Sequence, residues 1–205
     1  MQVLKDSIRE RIEASAIKLF RSHGYDKVSM RKIAADAHMT VGNIYRYFDN
    51  KDHLFESLIT PTLDKIMFLV SDEVTKKMVD EPEKNTEFVK RIIDIFLDIH
   101  RSEADILDML INSCEGSRVN KPAATISGML ASRMENLILD YIDLTGIDLN
   151  AKVLSNMLCD SLVDNFIRIL YEFDDDESRK VHMYHIAQIY TNLFITTIMV
   201  KRKEA

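Results

Sequence analysis

The stretch "TVGNIYRYF", residues 40–48, puts two tyrosines, a phenylalanine, an arginine and a glycine into about two turns of helix. An element this short adds little to a core, so its outward residues need a reason of their own. At about 100° per residue, Phe48 and Val41 fall within about 60° of Ile44, and these three define an inward face. Gly42, Asn43, Tyr45 and Arg46 occupy the arc turned away, with Tyr47 beside it. That arc offers hydrogen-bonding tips, a flat aromatic body and one position with no side chain to hold another surface at a distance.

The residues just upstream give the arc a setting. Ser29 is a good N-cap for "MRKIAADA" and Thr40 for the quoted stretch. The apolar positions Ile33, Ala37, Ile44 and Phe48 meet only if two short helices cross steeply, which predicts a helix-turn-helix. Its turn, "HMT", has His38 where glycine is usual, and His is one of the few other residues tolerated at positive φ. In such a pair the second helix lies in the major groove of DNA, contacting base edges and phosphates. Arg31 points outward from the first helix, within reach of a guanine edge. Lys51 and the amides of a helix starting at Asn50 form a second anion site beside it.

Charge is distributed to suit. The chain of 205 residues has a formal net charge of −6, which taken whole argues against a polyanionic partner. Residues 1–53, however, carry ten Lys/Arg against seven Asp/Glu, leaving seventeen against twenty-six for residues 54–205. A modestly basic head on an acidic body results. Cys114 and Cys159 stand alone, without metal-ligand spacing, and read as reduced core residues. No apolar signal segment opens the sequence, and "LFITTIMV" falls short of the roughly 18–20 residues that span a bilayer, so a cytoplasmic protein with no membrane partner is expected.

Helical spacing runs through the rest, and the chain is expected to be all-α with nine helices. Ile8, Ile12, Ala16 and Leu19/Phe20 form a first stripe ended by Gly24. A long helix from Asn50 is expected to reach about residue 79, with a kink near residues 57–60 ahead of Pro61. Further runs cover roughly 86–101, 103–114, 121–145, 150–173 and 176–202. The division is a DNA-binding head, 1–48, and a larger body, 49–205, with the helix from Asn50 connecting the two. Helix-turn-helix proteins normally double their footprint as two-fold dimers. In the last two helices Leu154, Leu158 and Leu162, and Ile186, Ile189 and Leu193, form stripes, with Val153, Met157, Val163, Ile195 and Ile198 off them. A helix apolar on two sides faces its own core and something else, here a second copy of the chain.

The segment "SMRKIAADAHMTVGNIYRYFDNKDHL", from Ser29, resembles the signature of the tetracycline-repressor (TetR) family of bacterial transcription regulators. Ile33, Ala34, Ala37, Thr40, Gly42, Tyr45, Tyr47, Phe48, Lys51 and Leu54 match it, and His38-Met39 departs from the commonest Gly-Val. The resemblance implies base contacts from Arg31, Val41, Asn43, Tyr45 and Arg46. It implies phosphate contacts from Ser29, Thr40, Tyr45, Tyr47 and Lys51. It also implies an effector cavity in the body, for which Phe88, Ile92, Phe96, Leu110, Met129, Met134 and Phe166 are candidate lining, and His100, Asn112 and Asn165 candidate polar handles.

The expected function is a homodimeric repressor released from double-stranded operator DNA by a small-molecule effector. Rival readings are a protein of this fold acting mainly through a protein partner on its acidic body, and a helical small-molecule binder without a DNA role. His182 and His185 share a helix face without a third ligand, so no metal or other cofactor is expected. Neither a nucleophile elbow, a phosphate loop nor an HExxH motif is present, and no enzymatic activity is expected.

Overall fold

Caps and glycines set the first elements. The computed structural model describes residues 2–71, 74, 84–145 and 150–191, and these contain nine helices and no strand. Helix α1 (Gln2–His23) ends where Gly24, at φ +79°, returns its N–H to Phe20 O at 2.8 Å. The Ser29 hydroxyl accepts from Lys32 N at the start of α2 (Met30–Asp36), and the Thr40 hydroxyl accepts from Asn43 N at the start of α3 (Val41–Ile44), both at 3.3 Å. Asn50 caps α4 (Lys51–Leu69) by accepting from His53 N at 2.8 Å. The remaining helices are α5 (Asn85–Ser102), α6 (Ala104–Asn112), α7 (Pro122–Thr145), α8 (Ala151–Glu172) and α9 (Asp176–Thr191).

Two expectations are corrected. The quoted stretch is not two helical turns: α3 ends at Ile44, and tighter bonds follow from Arg46 N to Asn43 O and from Tyr47 N to Ile44 O. Burial of Phe48 against the head, at 1% exposure, pulls the chain inward and closes Phe48 N onto Ile44 O. Helix α4 ends at Leu69 rather than near residue 79, and Ser71 N turns back onto Phe68 O. Pro61 lies inside that helix. The segment expected to continue the last helix to residue 202, Leu193 included, lies outside the described residues.

The chain divides into two compact units, Met1–Lys65 with His100–Pro122, and Ile66–Ile99 with Ala123–Ala205. In the first, Ile12, Phe20, Ile33, Ile44, Leu54, Phe55 and Ile59 are fully buried. Phe55 stands edge-on to Phe20 and to Tyr25, each pair of ring centroids 4.9 Å apart. Helix α6 and the turn after it belong to this core through polar ties. Arg21 on α1 pairs with Asp105 and Asp108, Tyr25 N donates to Ser113 O at 3.1 Å, and Arg118 lies 3.8 Å from Asp52. Gly116, at φ +82°, packs so closely that a β-carbon there would meet the Asp26 carboxylate at 1.8 Å.

The second unit buries Val89, Ile93, Leu97, Ile138, Cys159, Ile169 and Met183. Helices α8 and α9 run antiparallel: Arg179 donates to Leu170 O at one end, and Tyr190 donates to Ser161 at the other. Burial pushes both thiols, Cys114 in the first unit and Cys159 in the second, up to about 11, so they stay protonated at neutral pH. Among the described residues no helix is long and apolar enough to cross a membrane.

Glu103, just before α6, receives the Thr62 hydroxyl and the Lys65 ammonium from α4. These two donors, Lys65 foremost, hold its carboxyl below the ordinary glutamate value of 4.5. A depressed carboxyl contributes stability above the unfolded-state value and loses it as pH falls through the folded one. Acid unfolding below about pH 4.5 should therefore be less steep in Glu103→Gln. At neutral pH that variant should lose about 1–3 kcal/mol, because the buried Thr62 hydroxyl loses a charged acceptor. Urea titrations at pH 7 and pH 3.5 check both.

Candidate nucleic-acid interface

Helices α2 and α3 each begin at a hydroxyl cap, and the caps serve two purposes. Ser29 and Thr40 accept one helix amide apiece with an oxygen lone pair, and both residues are exposed. A hydroxyl so used still has its O–H to donate, and a phosphate oxygen is a suitable acceptor. The turn between the helices takes the shape its sequence required. His38 has φ +52°, and Met39 N closes on Ala34 O at 2.9 Å. Arg11 from α1 fixes the end of α2 by donating to Ala37 O at 2.6 Å.

Gly42 is exposed, and a β-carbon built on it meets nothing within 4 Å. Neither a positive φ nor an interior neighbour demands glycine there. Its missing side chain therefore benefits only something approaching from outside, and helix stability bears a cost for it. Gly42→Ala is expected to stabilise the fold by about 0.5–1 kcal/mol while weakening duplex binding. A thermal melt and a binding titration on the same preparation separate the two effects.

Around Gly42, Asn43, Arg46 and Tyr45 are exposed, Tyr45 by 52%. Val41 and Tyr47 are half-buried, so each presents only an edge. Arg31 stands exposed on α2.

The cations of this unit fall into two groups. Arg9 pairs with Glu13, Lys18 with Asp36, and Arg21 with Asp105 and Asp108. Arg11 and Lys32 donate to carbonyls, Lys32 to that of Lys27 at 2.8 Å. Lys51 is half-buried, 3.0 Å from Tyr25 O and 3.8 Å above the Tyr25 ring. The lysine assigned to phosphate thus also clamps the segment after α1 to α4. The side chains of Arg31, Arg46 and Lys27 have no partner among the described residues, and all three residues are exposed. Sequence reading passed over Lys27; its place in the short loop between Gly24 and the Ser29 cap was the available signal.

The other predicted residues are placed as follows. Phe88, Ile92, Phe96, Met129, Met134, Asn165 and Phe166 lie half-buried in the second unit, where Phe96 and Phe166 stand 6.2 Å apart. Asn165 donates to Ser161 O at 2.7 Å. Leu110 is buried and Asn112 exposed in the first unit, with Asn112 donating to Asp108. His100 is half-buried.

On α8 the leucines 154, 158 and 162 are half-buried, whereas Val153 and Met157, outside that stripe, are exposed by 54% and 65%. On α9 Ile186 is half-buried and Ile189 exposed. His182 stacks on Phe173 at 4.1 Å, with Nδ1 against Ser178 O.

Residues 12–58 match the family model of bacterial regulatory proteins, tetR family. The chain is 30% identical over 89 residues to the HTH-type transcriptional repressor KstR of Rhodococcus jostii, a stretch covering 36% of this chain and 42% of that protein. The chain thus spans less than half the length of the curated relatives it matches. Among solved structures it is similar to NalD, the secondary repressor of the MexAB-OprM multidrug efflux pump in Pseudomonas aeruginosa. That likeness has a TM-score of 0.55 at 20% identity, over 90% of this chain and 95% of that one. A gamma-butyrolactone receptor, ArpA-like, aligns with a TM-score of 0.51 at 16% identity, over 93% and 99%. The fold is shared with these structures.

Proposed function

We infer that this chain, whose residues 12–58 are those of a TetR-family regulator, is a DNA-binding transcriptional regulator. It acts as a homodimeric repressor that a small-molecule effector releases from its operator. The observation carrying the reading is the division among the cations of the head. Among the described residues most are neutralised or tied to carbonyls, while the side chains of Arg31, Arg46 and Lys27 stand exposed without a partner, and Gly42 is a glycine that only an external surface has use for. A duplex supplies the missing acceptors, phosphates and guanine edges.

Two such heads, one per subunit, sit about 34–36 Å apart when they read successive major grooves. The exposed Val153 and Met157 on α8 and Ile189 on α9 are apolar surface for pairing. The relatives named repressors favour repression, and the receptor among the fold neighbours favours a small effector. Release requires the effector to prefer the arrangement that misfits DNA, with a coupling of about 1–3 kcal/mol. Sedimentation of the free chain and titration of a duplex at low salt test the first two parts. A monomer, or indifference to duplex DNA at low ionic strength, rejects them. Equal operator affinity with and without a co-purified ligand rejects the third.

A further inference from the structure

The side chain of His53, the third residue of α4, has a part in neither the core nor the contacts so far assigned; only its backbone N–H serves the Asn50 cap. Half of its side chain is exposed. The ring leans edge-on against Phe48, the residue that closes the reading segment, with centroids 5.8 Å apart. On the same Phe48 ring, at 5.1 Å from its centroid, lies the Arg9 guanidinium.

One ring nitrogen, Nδ1, faces two groups of Asp49 at once: the backbone N at 3.3 Å and the carboxylate Oδ2 at 3.4 Å. A neutral Nδ1 accepts the Asp49 N–H, which puts the ring's hydrogen on Nε2. A protonated Nδ1 donates to the Asp49 carboxylate instead, and Nε2 again carries a hydrogen. Asp49 thus holds the ring in one place in both protonation states. In each state the outer nitrogen is a donor, and it has no acceptor among the described residues. Only the charge changes.

The surrounding charged groups are otherwise engaged. Arg9 on α1 pairs with Glu13, and Lys51 is bound to Tyr25. Asp52 receives the Tyr25 hydroxyl, and Arg118 lies beside both Asp52 and Glu56. Asp49 itself is 86% exposed and turns no further group onto the ring.

We propose that His53 is a further DNA-backbone contact, a fixed Nε2–H donor that becomes a full ionic contact on protonation, so that duplex affinity rises as pH falls. The proposal rests on the DNA-binding reading. Imidazole is the side-chain class that gains and loses a proton between roughly pH 5 and 8, the span the test brackets.

The test uses the full chain and a random-sequence duplex of about 30 base pairs, with log affinity measured against log salt at about pH 8 and about pH 6. One added phosphate contact steepens the slope by about 0.9. The wild-type chain should show that increase at the lower pH, and His53→Gln should show none. His53→Lys, permanently charged, should be steep at both pH values, and His38→Gln should behave as wild type. Steepening that persists in His53→Gln, or its absence from the wild type, overturns the proposal. A wild-type chain that binds no duplex at either pH overturns the DNA-binding reading with it, and so is told apart from failure of His53 alone.

Discussion

Phe55→Ala is expected to cost about 3–5 kcal/mol of folding stability, the range for removing a large aromatic from a closed core. The ring is 0% exposed and touches the edges of both Phe20 and Tyr25. Its removal leaves a void lined by side chains that have their own duties. Tyr25 carries Lys51 over its face and donates to Asp52, so the start of α4 loosens as well. Duplex binding should therefore fall together with stability. Phe68, on the same helix but 56% exposed, is the control, and its alanine variant should change stability by no more than about 0.5 kcal/mol. Urea unfolding followed by far-ultraviolet circular dichroism gives both values.

The second large effect separates affinity from specificity. Tyr45→Ala removes an exposed ring and hydroxyl at the end of α3, and duplex affinity should drop on every sequence by about 1–3 kcal/mol. Arg31→Ala should lose a similar amount on the operator, and much less on random duplex, if its guanidinium reads a base rather than a phosphate. Neither side chain is buried, so the melting temperature should stay near wild type in both variants. Titrations on operator and random DNA, paired with a melt, distinguish these outcomes. Equal losses for Arg31→Ala on both duplexes would assign it to the backbone.

Much of this was legible in the sequence because local chemistry decides it. Ser29, Thr40 and Asn50 cap helices as their types require, Gly24 ends α1, and His38 takes the positive φ that its turn demanded. The all-helical class and the inward set Ile33, Ala37, Ile44 and Phe48 follow from periodicity, and all four are buried. What failed depended on tertiary context. A fixed 100° step cannot anticipate that burying Phe48 tightens the chain after Ile44. On α8, Leu154, Leu158 and Leu162 are half-buried and Val153 and Met157 stand exposed, a division between stripe and flank that periodicity alone does not give. The second role of Lys51 was hidden for the same reason, since its acceptor, the Tyr25 carbonyl, lies 26 residues away in the chain.

The turn that follows α6 has a bearing on how such proteins can be recombined. Ser113 O, Gly116 and Arg118 meet Tyr25, Asp26 and Asp52, and Glu103 ties α6 to Thr62 and Lys65. The first unit is thus assembled from two stretches of gene separated by a stretch that belongs elsewhere. A chimera that transplants only the first 65 residues onto another scaffold would inherit severed ends: an unopposed arginine at 21, an orphaned tyrosine amide, and a cleft where Gly116 had been. Transfer of this unit to another scaffold should succeed only when residues 100–122 travel with residues 1–65.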